Sequence, residues 1–189
     1  MRYWLFVTLG LFLVMGAHWA QAADTTVDNL PKDKTCVGYK TTKEMFFIAN
    51  VDVVGINCSL TMERPEQGMI RVTIPVDKFD SGVTGRDEHV AQILGGENMM
   101  PILFESPIPG AGEYSGDSIV AQGALIIQGR RYPLEVSFVK ESDKTFTFEV
   151  TTKLSLLEVI VPKVGFGVIA IPSDDIVLYG RVYPSHVNQ

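Results

Sequence analysis

The chain has 189 residues and a formal net charge of −6, and 46% of its residues are hydrophobic. This length is enough for one domain with a proper core, and a mildly acidic chain without a basic cluster is a poor partner for nucleic acids or anionic membrane surfaces. The composition therefore predicts a single domain with neutral or apolar partners and no nucleic acid.

The first 22 residues have the pattern of a secretory signal peptide. Arg2 precedes an apolar run from Tyr3 to Trp19, and the run ends in the small-residue stretch Ala20-Gln21-Ala22. A cleavage-like site of this kind is typical of signal peptides, whereas a stop-transfer segment ends in a basic cluster. We expect removal of residues 1–22 and no stable membrane insertion afterwards, with a retained anchor as the alternative.

Two cysteines, Cys36 and Cys58, lie in the part expected to be exported. In an oxidising compartment an even pair favours a disulfide, which in the chain-entropy model would stabilise the fold by roughly 3 kcal/mol. Two separately buried thiols are the alternative, because the sequence does not show that the two residues are close. Their spacing excludes a CxxC redox motif.

Eight strand candidates follow a polar segment, and residues 23–43 are predicted to be a flexible leader and the start of the domain. The clearest strand places Ile70, Val72 and Ile74 on one face and polar residues on the other, which is the period of a half-buried strand. The candidates are residues 44–50, 56–62, 69–79, 101–106, 118–129, 132–140, 145–152 and 174–183. Short strands joined by turns predict an antiparallel sandwich or barrel over residues 44–184, with a tail at 185–189.

One short helix is predicted at about residues 86–94, within GRDEHVAQIL. Val90, Ile93 and Leu94 share a helix face, acidic residues occupy the first turn where the helix dipole favours them, and two glycines follow the last turn. The pattern indicates a capped helix between two strands.

The charged residues from Arg86 to His89 are the strongest candidates for catalysis. Consecutive helical residues point in different directions, however, and cannot converge on one substrate atom. A hydrolase would need a nucleophile such as Ser81 or Thr84 within hydrogen-bond reach of His89. Beyond the predicted signal peptide the histidines are His89 and His186, and neither has ligand-like spacing with the cysteines. The sequence thus predicts no enzyme, no catalytic residue, no metal and no cofactor.

Three blocks of the sequence resemble the YceI-like family of periplasmic, lipocalin-like proteins. VTIPVDKFDSGVTGRDEHVAQIL is similar to the family's strand, F-x-[ST]-G type turn and R-D-x-H helix. AQGALIIQGRRYPLEVSF is similar to its G-x-L-x-[IL]-x-G turn, proline and alternating strand. LSLLEVIVPKVGFGVIAIPSDDIVLYGRV is similar to its late strand, proline-bearing loop and final strand. The blocks keep the family's order and lie within residues 44–183.

The resemblance implies an all-β fold, an eight-stranded antiparallel lipocalin-like barrel with the one short helix, located in the periplasm. In some family members the cavity holds an isoprenoid chain, so the expected partner is an amphipathic lipid such as a polyprenyl phosphate or an isoprenoid quinone. Each buried CH₂ contributes about 0.8 kcal/mol, so a long tail needs no specific polar contact. The tail would lie along inward-facing residues, namely Val72, Ile74, Leu125, Ile127, Leu134, Val136, Phe146 and Phe148.

Arg86 and His89 occupy positions of the family's helix motif and are predicted to meet the lipid head group at the mouth. The Arg86 guanidinium could bind a phosphate in a bidentate manner, with assistance from His89. The linker after the helix, GGENMM, departs from the family's pattern, and the cysteine pair is not part of its motif.

Apolar strand faces fit a filled core as well as a hollow barrel. The alternative function is therefore a non-enzymatic interaction or stress-protection module that holds no lipid. An apolar strip at the barrel mouth would also serve to form a homodimer.

Overall fold

A computed structural model describes residues 26–45, 49–65, 68–108, 114–115, 117–161 and 170–188. The strands are β1 (Cys36–Met45), β2 (Ala49–Asn57), β3 (Thr61–Glu63), β4 (Met69–Ile74), β5 (Ile102–Pro107), β6 (Tyr114–Ser115), β7 (Ser118–Ile127), β8 (Arg130–Ser142), β9 (Thr145–Lys153), β10 (Ala170–Val182) and β11 (Val187–Asn188). The α-helix is α1 (Thr84–Gly95), and short 3-10 turns occur at Thr26–Asn29, Val76–Lys78 and Pro184–His186.

The strands form one sheet in the order β11-β3-β4-β5-β7-β8-β9-β10-β1-β2, with β6 attached to β7. Neighbouring strands are antiparallel, apart from the parallel pair of β11 and β3. β2 and β3 stand towards opposite ends of this order, yet only residues 58–60 separate them in the chain. The sheet therefore curls back on itself, and a bridge between Ile56 and Asp80 joins β2 to the segment before α1.

The predicted all-β fold with one short helix is confirmed. Eight strands of the described residues have six residues or more, and α1 covers the predicted helix at 86–94. The first two predicted strands are displaced, because residues 44–50 include the end of β1 and the start of β2, and residues 56–62 include the end of β2 and the start of β3. Most of β1 was not predicted from the sequence, because Gly38 and the polar residues from Lys40 onward interrupt the alternation of apolar and polar side chains that marks a strand.

Strand register separates an inner from an outer face. On β1, Tyr39 pairs with Gly55 of β2 and Leu178 of β10, and Tyr39 and Leu178 both belong to the main core inside the curled sheet. Gly38 pairs with Tyr179, whose side chain packs on the outer face in a small cluster with Leu30 and Cys36. The two tyrosines therefore lie on opposite sides of the sheet.

Residues 26–35 cover part of the outer face and are held there by a buried arginine. Arg181 is 1% exposed, and its Nη1 donates hydrogen bonds to the carbonyl oxygens of Leu30 (2.7 Å) and Pro31 (3.2 Å). Its Nε and Nη2 donate to the Glu141 carboxylate at 2.9 Å each. Residues 23–43 were expected to be a flexible leader and the start of the domain, but from Thr26 onward the segment is packed against the sheet. Its composition is polar, yet Leu30 and the hydrogen bonds from the buried Arg181 hold it in place.

The predicted disulfide between Cys36 and Cys58 is confirmed. Cys36 begins β1, and Cys58 follows β2, so the bond joins β1 to the point where the sheet turns back. The predicted tail also contributes to the sheet, because Val187 pairs with Met62 of β3.

The predicted signal peptide, residues 1–22, lies outside the described residues and stays a prediction. Across the ranges described, no helix combines the length and apolar character needed to cross a membrane.

Candidate functional site

An apolar cavity of about 480 Å³ lies inside the curled sheet. Its walls come from the inner faces of β1, β4, β5, β7, β8, β9 and β10, and α1 contributes Leu94. This volume is in the range of sites for small molecules. The chain therefore encloses more space than a filled core would leave.

All eight residues predicted to hold a lipid tail line this cavity. They are Val72 and Ile74 of β4, Leu125 and Ile127 of β7, Leu134 and Val136 of β8, and Phe146 and Phe148 of β9. Each pair is separated by two positions, so the pleat of the strand directs both side chains to the same face. Their contact with a lipid remains a prediction.

Aromatic rings in the wall lie across glycines of neighbouring strands. A Cβ added to Gly180 would stand 2.3 Å from Cε1 of Phe148, and one added to Gly123 would stand 2.6 Å from Cζ of Phe104. Only glycine leaves room for rings in these positions. These inward glycines could be found in the sequence only once the strand register was known.

One charged residue lines the cavity within the described part of the chain, and it is Arg64. It follows β3, on the side of the cavity that also carries Ser106 and Pro184. Sequence reasoning missed Arg64 because it sits in ERPEQG, a segment that reads as a turn.

Arg86 and His89 do not line the cavity. The Arg86 guanidinium instead donates to Ser81, through Nε to Oγ (2.8 Å) and through Nη2 to the backbone oxygen (2.9 Å). The Ser81 hydroxyl also donates to the Asp87 carboxylate, which accepts a second hydrogen bond from the Ser81 backbone N–H at 3.0 Å. The charged stretch thus fastens the start of α1 to the preceding loop, and Ser81 is bonded to Arg86 and Asp87 and not to His89.

Near the start of α1, two buried polar atoms have no hydrogen-bond partner among the described residues: His89 Nε2 and the hydroxyl of Tyr39. Tyr39 is 7% exposed, lines the cavity and packs edge-on against Phe79, with ring centroids 5.4 Å apart. Burial raises the pKa of Tyr39 to about 12, and the nearby Asp87 carboxylate acts in the same direction. Tyr39 therefore presents a neutral hydroxyl.

Ion pairs on the outer face connect strands of the sheet. Arg71 and Arg131 flank Glu105 at 2.8 and 2.7 Å, and their hydrogen bonds lower the pKa of the Glu105 carboxyl, that of Arg131 most. Among the side chains that the structure describes, no group of three or more histidine, cysteine or acidic residues is arranged to hold a metal ion.

Neither the family models nor the curated proteins that were compared with the chain give a match. Among solved structures, the fold is similar to a polyisoprenoid binding domain from Saccharophagus degradans implicated in plant cell wall breakdown, with a TM-score of 0.55 and 9% identity over 78% of this chain and 94% of that one. BcnA from Burkholderia cenocepacia gives a TM-score of 0.53 and 21% identity over 76% of this chain and 94% of that one. The protein shares the fold of these two structures.

The YCEI protein of Campylobacter jejuni is more distant, with a TM-score of 0.43 and 13% identity over 61% of this chain and 77% of that one. The first two structures confirm, at the level of the fold, the resemblance to the YceI-like family found in the sequence. This fold places the apolar cavity inside the curled sheet, with Leu94 of α1 in its wall.

Proposed function

We propose that this protein is an exported, non-enzymatic member of the YceI-like family that binds an isoprenoid-type lipid in its cavity and sequesters or transports it. The observation that carries the proposal is the cavity of about 480 Å³ with its almost entirely apolar wall. Apolar surface removed from water contributes roughly 25 cal/mol per Å², so a lipid tail would bind there without a specific polar partner.

The periplasm is the proposed location. The disulfide between Cys36 and Cys58 supports it, because disulfides persist in oxidising compartments, and the pattern of residues 1–22 supports export. One of the structures with this fold is a polyisoprenoid binding domain, which supports the ligand class.

The experiment is native mass spectrometry of protein exported in a bacterial host and purified without detergent, followed by organic extraction of bound material. We expect an isoprenoid lipid in a one-to-one ratio with the chain. A mass that stays free of ligand after incubation with polyprenyl lipids and quinones would overturn the proposal in favour of an interaction module.

A pair of variants distinguishes binding in the cavity from binding elsewhere. Ala121 is 5% exposed and lines the cavity, whereas its neighbour Val120 is not part of the lining. Ala121→Phe is expected to weaken lipid retention because its ring occupies part of the cavity, while Val120→Phe should retain the lipid as the native protein does. Equal retention by both variants would place the lipid outside the cavity.

The proposal also includes contact of Arg86 and His89 with the head group of a phosphate-bearing lipid, and this contact requires a change in the hydrogen bonds of Arg86. Arg86 would have to exchange its hydrogen bonds with Ser81 for those to a phosphate, whereas Arg64 already lines the cavity. Comparing the two arginines therefore tests where a phosphate would bind.

A further inference from the structure

The hydroxyl of Tyr39 is a buried hydrogen-bond donor beside an apolar cavity. It has no partner among the described residues, although 93% of the surface of Tyr39 is removed from solvent. An unsatisfied buried polar group costs about 1–3 kcal/mol, so such groups in folded proteins usually have a partner supplied by protein, water or ligand.

The position of Tyr39 is set by its neighbours. Its ring lies over Gly55 of β2, where an added Cβ would stand 2.5 Å from Cε1, and it packs edge-on against Phe79. Neither of these two residues has a side-chain hydrogen-bond acceptor. Because the ring is confined in this way, the hydroxyl has a defined place and could select a ligand by position.

The surroundings of Tyr39 favour a neutral partner. The Asp87 carboxylate raises the pKa of Tyr39 more than the Arg86 guanidinium lowers it, so an anionic head group at this hydroxyl would meet a net negative local charge. The nearby Arg86 guanidinium already donates two hydrogen bonds to Ser81. A neutral acceptor oxygen, such as a carbonyl, would accept from the phenol without this repulsion.

We propose that Tyr39 donates a hydrogen bond to a neutral carbonyl oxygen of the bound lipid, and that this contact favours an isoprenoid quinone over an isoprenoid phosphate. The inference rests on the proposed function, since it requires an isoprenoid in the cavity. To that proposed function the inference adds a residue that recognises the head group, Tyr39, and a chemical class for the head group, a neutral quinone.

The test uses three ligands with the same farnesyl-type tail: a farnesylated benzoquinone, farnesyl phosphate and the hydrocarbon farnesene. Dissociation constants are measured by calorimetry for the full exported protein, for Tyr39→Phe and for Tyr179→Phe. Tyr179 is the matched control, because its hydroxyl is also buried and unpartnered among the described residues. Tyr179 borders the cavity too, but its side chain packs on the outer face with Leu30 and Cys36, so the two hydroxyls lie on opposite faces of the sheet.

We expect Tyr39→Phe to weaken quinone binding by about fivefold to tenfold, the value of one hydrogen bond, and to leave farnesene binding unchanged. Tyr179→Phe should change neither. Unchanged quinone binding in Tyr39→Phe would overturn the inference and leave the proposed function intact, as would an equal loss for farnesyl phosphate. If the native protein binds none of the three ligands, both proposals are wrong.

Discussion

Phe148 of β9 lies against Gly180 of β10 so closely that a Cβ on Gly180 would stand 2.3 Å from Cε1 of the ring. The two residues are register partners, and Phe148 also packs edge-on against Phe138 at 5.3 Å between ring centroids. The missing side chain of Gly180 thus gives Phe148 its place in the cavity wall.

Gly180→Ala is expected to destabilise the fold by about 1–3 kcal/mol, because the added methyl group overpacks the wall against Phe148. Urea unfolding measures this cost. Gly85→Ala is the matched control: an added Cβ at Gly85 in α1 meets no atom within 4 Å, so the change should be neutral or stabilising. If the cost of Gly180→Ala is unchanged in a Phe148→Leu background, the clash with Phe148 is not its cause.

The disulfide closes a loop with a sequence separation of 22 residues. Replacing Cys36 and Cys58 together by alanine should lower the free energy of unfolding by roughly 3 kcal/mol, because the unfolded chain regains the entropy of that loop. Urea midpoints in the presence and absence of a reductant provide the measurement. The reductant should destabilise the native protein and leave the double variant unaffected; a double variant as stable as the native protein would contradict this account.

Glu141 is expected to make stability depend on pH in the acid range. The hydrogen bond from Arg181 holds the pKa of the Glu141 carboxyl below its ordinary value of 4.5 in the folded state. The stabilisation is therefore complete above pH 4.5 and is lost as the pH falls from there through the lower folded-state pKa. Since the Glu141 side chain is 39% exposed, solvent screening limits this to about 1 kcal/mol or less.

Glu141→Gln should consequently flatten the loss of stability below pH 4.5, as measured by thermal unfolding across that range. Glu97→Gln, at an exposed position in the turn after α1, is the control and should preserve the native profile. If Glu141→Gln and the native protein lose stability identically below pH 4.5, the ion pair with Arg181 does not contribute to the pH dependence of stability.

Arg86→Ala is expected to lower the melting temperature, because Ser81 loses two hydrogen bonds from the guanidinium. If the head-group proposal holds, the variant also binds farnesyl phosphate more weakly and the quinone as before. Arg64→Ala tests the other arginine, which is exposed and lines the cavity. A loss of phosphate binding in Arg64→Ala alone would assign the phosphate site to Arg64, and equal loss of both ligands in Arg86→Ala would mark Arg86 as structural.

Local patterns in the sequence were sufficient for the strands with one buried face and for the helix. Val72 and Ile74, or Phe146 and Phe148, repeat every second residue, and the pleat alone turns such pairs to one side. Gly95 and Gly96 similarly predicted where α1 would end, and Gly96 adopts a φ of 64°, which glycine favours. These signals extend over a few residues and need no information from distant parts of the chain.

Tertiary structure decided what those faces enclose and which polar groups meet. The pattern of apolar residues does not distinguish a filled core from a cavity, because both require the same inward side chains. Nor could it show that Arg86 contacts Ser81, that Arg64 lines the cavity, or that Tyr39 and Tyr179 face opposite sides of the sheet. These relations depend on strand register and on the path by which the sheet curls, which arise from contacts between residues far apart in the chain.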